Sequence, residues 1–487
     1  MTNNYSHLSL DERIKIEVFL DHGSTLAGVA GFVGRHRSTI SREVKRARRS
    51  GFNRYIANFA RASAARGAPA RARGHRLPHA RLRPADDARG RGRERTPGHR
   101  SAEFFVHRHV YGKWTCRCCQ RQGIERLVQK PADPQIIDGG IAASGFAAHI
   151  LISRFVDHLP YYRQETINAR SGVHTPRSTL ARTAGNAGAA MEPLFEAHKR
   201  FVLSGPVLHA DETPVSMLDP GAGKTKRAYI WAYARGELDA QRGVIYEFCL
   251  GRGSQYPVAF LGTAQGPPGS ATQDQPAWQG TLVCDQYVGY DAVLDKRVYP
   301  QRIAAHCVAH ARRKFDELLG TSEVAKAAIK RIGWIYHVEG QFDGMDAQQR
   351  QAAREQFTRP LWKELHIWLK LERSRVPDGG SIAAAIDYSL NSWTALTRHL
   401  EDGAVPIDNN FIERQIKPWA MGRKAWLFCG SKLAGQRAAI VMSLVQSAKL
   451  NGHDPWAYLR DVLERLPSHP NSRIEELLPH RWQKPAA

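Results

Sequence analysis

Three acidic residues in distinctive local motifs are the part of this chain best suited to metal chemistry. Asp211 lies in HADETPV and Asp285 in LVCDQYVGY, each at or just past the end of an apolar, strand-like run, while Glu413 lies in the helix-like segment IDNNFIERQIKP. Hard divalent cations such as Mg2+ prefer oxygen ligands and leave coordination positions open to water and phosphate. Two ions about 3.5 to 4 Å apart can activate an attacking oxygen and stabilise a leaving one in phosphoryl transfer. The sequence therefore predicts a metal-dependent enzyme that acts on phosphate.

The strands around the acids must bring them to one place. Apolar runs predict a strand into Asp211, two more strands, a short helix, and a returning strand into Asp285. This order is the start of a ribonuclease-H-like sheet, in which the returning strand lies parallel to the first through a crossover. Asp211 and Asp285, although distant in sequence, would then meet at one sheet edge, where a later helix can place Glu413. The later runs lie at residues 228–233, 244–249, 257–261 and 281–284.

A helical insertion separates the second acid from the third. Residues 308–397 show helix-like patterns and no evident strand. We therefore expect a catalytic domain at 201–450 that contains this insertion, followed by a C-terminal helical segment at 451–487. The predicted fold is α/β: a ribonuclease-H-like core interrupted by a helical insertion, preceded by all-α helix-turn-helix DNA-binding segments and a disordered basic linker.

Two lysines follow Glu413 on the same predicted helix. Lys417 comes four residues later and on the same face, where it can hold a substrate phosphate, and Lys424 is a further expected DNA contact. Each acid taken alone has a simpler interpretation as a surface carboxylate, with Asp285 or Asp408 serving as a cap or turn residue. Three acids at the expected topological positions favour the metal site.

The charge of the chain indicates a polyanionic partner. The chain contains 70 Lys plus Arg against 46 Asp plus Glu, a formal net charge of +24. Such a field attracts nucleic acid; a membrane surface is the competing explanation, but the charge is spread along the chain and lies beside no hydrophobic anchor. The longest uncharged helix-like stretch, residues 438–448, is shorter than the roughly 20 residues that span a bilayer. Seven cysteines, an odd number, argue against a disulfide framework. We expect a soluble, cytoplasmic, nucleoid-associated protein that binds DNA and no membrane.

The N-terminal segment, residues 1–60, predicts a helix-turn-helix. Ser9 and Glu12 form a capping-box pattern for a helix to about His22, a second helix covers 26–33 and ends at Gly34, and a third runs from near Ser38 to Arg46. A small helical bundle with a solvated basic face is the alternative. In the DNA interpretation, the polar residues at the start of the third helix and the arginines beside them lie in the major groove. The expected DNA-binding residues are Arg35, Arg37, Ser38, Thr39, Ser41 and Arg42.

Residues 61–130 combine a basic linker with half of a metal motif. Residues 61–100 are rich in Arg, Ala, Gly and Pro and poor in large aliphatic residues, which predicts a disordered linker or the translation of GC-rich DNA out of frame. Residues 101–130 include Cys116 and Cys119, which form half of a zinc ribbon. A closed zinc site needs four ligands and no second CxxC exists, so an incomplete site is the alternative to one completed by His107 and His109.

Two further motifs bear on phosphate binding. Residues 131–200 predict a helical DNA-binding region in which Arg177 begins a helix after a turn and can contact phosphate; a core helix with a basic outer face is an equal alternative. GAGKT at 221–225 imitates a phosphate-binding loop, but Leu218 occupies the position of the required first glycine. We therefore predict no use of ATP.

Five segments of the chain closely resemble the DDE transposases of the bacterial insertion-sequence-sixty-six family. They are HADETPVSMLDPGAGKTKRAYIWAY, CDQYVGYDAV, AAHCVAHARRKFDEL, IDNNFIERQIKPWAMGRKAWLFCGS and AKLNGHDPWAYLRDVLERLP, and the resemblance extends from about residue 101 to the C-terminus. It implies that Asp211, Asp285 and Glu413 form the catalytic triad and hold two Mg2+ ions, for which Mn2+ can substitute. Cys307 with His310 matches a CxxH pattern found after the second acid in several transposase groups, with helix packing near the site as the alternative.

The N-terminal segment departs from that family. YSHLSLDERIKIEVFLDHG and GRHRSTISREVKRA resemble the N-terminal helix-turn-helix of the insertion-sequence-thirty family, another group of DDE transposases, so the chain resembles a chimera. The resemblance implies cleavage of DNA at element ends and transfer of the 3′-OH into target DNA. It also implies a homo-oligomeric synaptic complex and two small accessory proteins of the element. The alternative is a catalytically silent relic or regulator that binds DNA through its helix-turn-helix alone.

Overall fold

The computed structural model describes most of the chain in two separate units. The described residues are 25–48, 103–115, 127–262 and 277–485, together with Leu8, Glu12, Ile16, Leu20 and Arg121. The first unit is Met1–His99 and the second is Arg100–Ala487. The predicted linker at 61–100 and the two cysteines of the predicted zinc half-site, Cys116 and Cys119, lie outside the described residues.

Residues 25–48 of the first unit form two helices joined by a tight turn. Helix α1, Leu26–Val33, begins where the Thr25 side chain accepts a hydrogen bond from the Gly28 amide, 3.2 Å away. It ends at Gly34, whose φ of 68° is a conformation that glycine adopts readily. Helix α2, Arg37–Arg48, starts one residue before the expected Ser38. The buried side chains that pack the helices together are Leu8, Ile16, Val29, Ala30, Ile40 and Val44.

A five-stranded mixed sheet forms the centre of the second unit. The strands of this unit are β1 Lys113–Thr115, β2 Leu127–Gln129, β3 Val207–Asp219, β4 Lys224–Arg235, β5 Val244–Cys249, β6 Gly280–Cys284 and β7 Arg302–His306. Within the sheet they lie in the order β5-β4-β3-β6-β7. β3 pairs with β4 and β4 with β5 in antiparallel fashion, whereas β3 pairs with β6 and β6 with β7 in parallel. The parallel return of β6 beside β3 therefore confirms the crossover expected between the first and second acids. Strands β1 and β2 form a separate antiparallel pair.

The structure corrects two expectations about the sheet. β3 was expected to end near Asp211 but continues to Asp219, because it pairs with β4 along a long hairpin. The GAGKT segment forms the turn of that hairpin and the first residues of β4, with Gly221 and Gly223 at positive φ. Strand β7 follows the second acid and was not predicted at all.

Helices cover the sheet and form the expected insertion. The main core joins the sheet to the helices at residues 144–155, 177–190, 192–203, 410–426, 432–450 and 455–465. The insertion has a core of its own around Phe315, Ile335 and Trp362. No helix among the described residues is long and apolar enough to cross a membrane. The helices are α3 Ser144–Phe155, α4 Tyr161–Arg170, α5 Arg177–Ala190, α6 Glu192–Leu203, α7 Gln255–Leu261, α8 Asp291–Leu294, α9 Val308–Asp316, α10 Glu323–Glu339, α11 Ala347–Ala353, α12 Arg359–Arg375, α13 Ser381–Asn391, α14 Trp393–Leu396, α15 Asn410–Trp426, α16 Lys432–Leu450 and α17 Pro455–Arg465.

Candidate active site

The register of the sheet places Asp211 and Asp285 at the same level. In the parallel ladder of β3 and β6, His209 pairs with Val283. Asp211 and Asp285 each lie two positions further along the chain, so they continue the same register just past the last pair. Residues at the same level of adjacent parallel strands direct their side chains to the same face. The two carboxylates therefore share one face at the point where the ladder ends.

Asn409 holds the start of helix α15 against strand β3. Its Nδ2 donates to the backbone oxygen of Ala210 at 2.9 Å, and its Oδ1 lies 2.8 Å from His209 Nδ1. His209 Nε2 accepts a hydrogen bond from the Glu237 amide, so Nδ1 carries the proton and donates to Asn409. Burial lowers the pKa of His209 to about 4, which keeps the ring neutral at pH 7. These contacts place Glu413, in the first turn of α15, beside the strand that carries the first acid.

Contacts from the helical insertion complete the anchoring of α15. Asp408 Oδ1 accepts a hydrogen bond from the Asn410 amide at 2.9 Å, and Asp408 Oδ2 accepts one from the Tyr336 hydroxyl at 3.0 Å. Cys307 Sγ accepts a hydrogen bond from the Asn409 amide at 3.1 Å. Asp408 thus satisfies a backbone donor at the helix start. The insertion positions the third acid as well as separating it from the second.

The three carboxylates affect one another electrostatically. Burial raises the pKa of the Asp211 carboxyl to about 8, and the neighbouring carboxylates of Glu212, Asp285 and Glu413 contribute to the increase. Glu413 Oε1 is buried and has no hydrogen-bond partner among the described residues. Crowded acids with an unsatisfied oxygen are unfavourable by themselves, and a divalent cation between them would remove the repulsion. The residues present therefore fit a site for Mg2+ or Mn2+.

Cys307, His310 and Glu413 form a second group of possible ligands. Their donor atoms lie within 4.8 Å of one another, and His310 Nε2 is 3.7 Å from Glu413 Oε1. Cys307 precedes α9 and His310 is one turn further along, so the CxxH spacing presents both side chains to α15. Burial raises the pKa of the Cys307 thiol to about 12. Zn2+ accepts thiolate, imidazole and carboxylate donors, and binding here would require the ion to displace the proton of Cys307, so Glu413 borders two groups of possible metal ligands.

Glu212 is a site residue that the sequence did not indicate. Its side chain is 2% exposed and accepts hydrogen bonds from Arg252 Nε at 2.6 Å and from the Tyr290 hydroxyl at 2.9 Å. The Arg252 guanidinium also stacks on Tyr287, with its carbon 3.6 Å from the ring centroid. The Tyr287 amide donates to Asp285 Oδ1 at 3.0 Å. Glu212 and Arg252 therefore connect the strand of the first acid to the loop of the second.

Comparisons with known proteins identify the family. The model described as Transposase IS66 family matches residues 139–437, more than half of the chain. The chain belongs to the IS66 family of DDE transposases. The IS66 C-terminal element matches residues 443–480, and a helix-turn-helix domain matches residues 4–47. The resemblance found in the sequence is thus confirmed, as is a helix-turn-helix at the N-terminus.

Relatives of this IS66 transposase occur in Sinorhizobium fredii (strain NBRC 101917 / NGR234). The uncharacterized protein y4jD is 33% identical over 390 residues, which cover 78% of this chain and 73% of the relative. The uncharacterized protein y4hP is 31% identical over 404 residues, covering 79% and 69%. The family itself implies transposition, DNA binding and use of a divalent metal.

The remaining candidate residues of the transposase's second unit lie on the surface. Lys417 and Lys424 are exposed on α15, and Arg177 is exposed at the start of α5. The Arg177 amide donates to the Glu165 carboxylate at 3.2 Å, and the residue is exposed. Exposed cations on the helix that carries Glu413 are available to DNA phosphate.

Three of the residues predicted to contact DNA in the first unit are exposed. Arg37, Ser38 and Arg42 are exposed on α2, whereas Thr39 and Ser41 are half-buried. The expected contact Arg35 is engaged within the protein, since its Nε lies 2.6 Å from Glu12 Oε1. That ion pair joins the turn before α2 to the first predicted helix.

Proposed function

We propose that this transposase cleaves a phosphodiester bond at each element end and joins the freed 3′-OH to target DNA. The catalytic residues are Asp211, Asp285 and Glu413, on a core of the ribonuclease-H-like type. The observation that supports this most directly is that Asp211 and Asp285 each follow the last ladder pair of β3 and β6 by two residues, while Asn409 joins the start of the Glu413 helix to β3.

The three carboxylates are the residues that would hold two Mg2+ ions, for which Mn2+ can substitute. When bound, such ions lower the barrier to in-line phosphoryl transfer by activating the attacking oxygen and stabilising the leaving one. The protein itself positions the metal ligands and the phosphate of the DNA. Asp211 and Asp285 present oxygens from one sheet face, Glu413 is held by its helix, and Lys417 holds a phosphate next to the site. Because water and a 3′-OH can attack in turn at one site, no covalent protein intermediate is needed.

The N-terminal helix-turn-helix delivers DNA to this site in the proposed function. Arg37, Ser38 and Arg42 lie exposed on α2, the position that a recognition helix occupies in this motif. The proposal includes the homo-oligomeric synaptic complex and the two small accessory proteins that the family resemblance implies. Binding of element ends and metal-dependent chemistry are thus assigned to different units of one chain.

A cleavage and joining assay tests the proposal. The full chain is incubated with Mg2+ and DNA that carries element ends, and cleaved and joined products are measured for the wild type, Asp285→Asn and Glu413→Gln. Asp291→Asn, an exposed acid on α8, is the matched control. We expect both products from the wild type and the control and neither from the two site variants.

Other outcomes would contradict the proposal in distinct ways. Equal cleavage by the wild type and Asp285→Asn would remove the assignment of the site. Cleavage without joining would indicate a nuclease. DNA binding without cleavage by the wild type would favour the silent regulator.

A further inference from the structure

A cavity outside the acidic site lies where helix α15 turns into α16. Its volume is about 310 Å3, and it is bounded by α3, α4, α5 and the segment 426–438. Aromatic walls come from Tyr161, Trp426 and Phe428, and positive charge comes from Arg154 and Arg437. None of the described residues that line it is acidic. The cavity thus combines flat apolar surfaces with uncompensated positive charge.

Arg154 is the most unusual residue of this cavity. Its guanidinium carbon lies 4.6 Å from the centroid of the Tyr161 ring and 4.7 Å from that of Trp426, so the group is sandwiched between two rings. It forms no hydrogen bond or ion pair with any other part of the chain that the structure describes. Burial lowers the pKa of this guanidinium. Arg154 is half-buried, so its charge keeps only part of its contact with water, and an anion in the cavity would stabilise it.

A second arginine and an exposed ring face the same space. Arg437 Nε is buried and has no hydrogen-bond partner among the described residues. Leu427 adopts a φ of 70°, rare for a residue with a side chain, and Phe428, which follows it, is 42% exposed. The loop is held in this form because the Leu218 amide donates to the Cys429 oxygen and the Cys429 amide to the Ser216 oxygen, both at 2.8 Å. The exposed ring therefore belongs to a fixed wall of the cavity.

These features match an unpaired nucleotide better than an isolated anion. Aromatic side chains bind bases of single strands by stacking, while arginines bind the attached phosphate. A free phosphate would leave the exposed Phe428 ring without a partner, and an apolar ligand would leave both arginines without an anion. The volume lies at the lower end of the roughly 300 to 1,000 Å3 typical of ligand pockets, which suits one nucleotide.

Helix α15 connects the cavity to the acids. Glu413 is in its first turn and Trp426 is its last residue. At 1.5 Å per residue the two ends are about 20 Å apart, or about six nucleotides of one strand at 3.4 Å each. Lys417 and Lys424 are exposed on the helix between them. They share the face of Glu413, whereas Trp419 and Trp426 of the cavity lie on the opposite face, so a strand bound along these cations reaches the cavity by passing around the end of the helix.

We propose that this cavity binds an unpaired base, with its phosphate, of the DNA strand being processed. The proposal rests on the proposed function and adds a second DNA contact to it: the base stacks on the exposed ring of Phe428, and the phosphate is held by Arg154 and Arg437. The cavity selects single-stranded or distorted DNA over regular duplex, because a paired base cannot leave its helix without losing its partner.

Binding of two matched probes by the full chain tests this site. One probe is a short single-stranded oligonucleotide with one 2-aminopurine, and the other is the same strand with an abasic position instead. The proteins are the wild type, Arg154→Gln, and Ala434→Phe, which fills the cavity from an exposed position on α16. Arg460→Gln is the control, because Arg460 also stacks on a tryptophan, Trp456 at 5.5 Å, but lines no part of this cavity.

The wild type and Arg460→Gln should quench the 2-aminopurine and bind the intact probe about tenfold more tightly than the abasic probe, the scale expected for one stacked base. Arg154→Gln and Ala434→Phe should lose both the quenching and the preference. Equal binding of the two probes by the wild type would overturn the proposal, as would a preference retained by a folded Ala434→Phe. These binding measurements need no cleavage, so the two proposals can fail separately. A wild type that cleaves and joins DNA but binds both probes equally refutes only the binding site in the cavity. A wild type that prefers the intact probe but does not cleave DNA refutes only the proposed function.

Discussion

Replacing Asn409 with alanine should separate the third acid from the first two. The side chain joins α15 to β3 through the Ala210 oxygen and His209 Nδ1, at 2.9 Å and 2.8 Å. Without it, a backbone acceptor and a ring N–H are left buried and unpaired. Helix α15 then keeps its contacts with the insertion and the hydrogen bonds from Arg423 to Thr213 and Pro214 of β3, but it loses the two that hold its start next to Asp211.

The size of the effect follows from these two hydrogen bonds. Because burial keeps His209 neutral, with its pKa lowered to about 4, neither bond gains strength from a full charge. Loss of a neutral buried bond that leaves its partner unsatisfied costs about 1–3 kcal/mol, so loss of both in Asn409→Ala should lower the free energy of unfolding by about 2–6 kcal/mol. A displacement of about 1 Å at the acid would reduce cleavage about 100-fold.

Urea unfolding at pH 7 and Mg2+-dependent cleavage measure these two effects. The control is Asn410→Ala at the neighbouring position, whose side chain donates to Asp408 at 2.8 Å in a half-buried setting. It should cost about 1 kcal/mol or less. If Asn409→Ala were no less stable than Asn410→Ala and cleaved DNA at the wild-type rate, Asn409 would not position Glu413.

Three further changes test other parts of the structure. His310→Ala removes the ring 3.7 Å from Glu413 and should slow cleavage about 10- to 100-fold, the range seen when a residue that orients a metal ligand is lost. The control is Arg312→Ala, on the exposed side of the same helix, and equal rates for the two variants would contradict this. Acid should remove the contribution of His198, whose pKa burial lowers to about 3: the folded state keeps the ring neutral while the unfolded chain binds a proton, so this contribution should be constant above pH 6.5 and fall by about 1.4 kcal/mol per pH unit below it. It is measured as the difference in unfolding free energy between the wild type and His198→Gln, and a difference that stays level from pH 7.5 to pH 5 would refute it. Arg37→Ala on α2 should weaken binding of every DNA sequence and reduce the slope of log affinity against log salt by about 1, measured by fluorescence anisotropy; an unchanged slope would show that Arg37 contacts no phosphate.

Elements with continuous patterns were predictable from the sequence. Strand β5 lies at residues 244–249, as its apolar run indicated, and α1 ends before Gly34 as expected. The end of β3 was misplaced because Pro214 interrupts the apolar pattern after the acid. The long pairing with β4 overrides that interruption, and Pro214 takes an exposed position.

Strand β7 was missed because Arg302, its first residue, suggests a surface. The guanidinium is instead buried and donates to the backbone oxygens of Trp278 at 2.8 Å, Leu261 at 3.0 Å and Gly262 at 2.8 Å. Those acceptors are brought together only by the folded chain. A single sequence shows the charge of Arg302 but not the carbonyl groups that satisfy it.

The acids themselves were predictable, but the residues that hold them were not. Asp211, Asp285 and Glu413 occur in distinctive motifs, whereas the contact of His209 with Asn409 joins residues from distant parts of the sequence. Glu212 was overlooked because an acid beside another acid on a strand suggests a solvent-facing side chain. Its burial against Arg252 and Tyr290 depends on loops from two other parts of the sheet.

Binding of Mn2+ is the most direct measurement of the central claim that Asp211, Asp285 and Glu413 form one metal site. Titration of the full chain, followed by electron paramagnetic resonance, should show two bound ions for the wild type and for Asp291→Asn. Asp211→Asn, Asp285→Asn and Glu413→Gln should each lose at least one ion while remaining folded. Wild-type binding in all three variants would contradict the account.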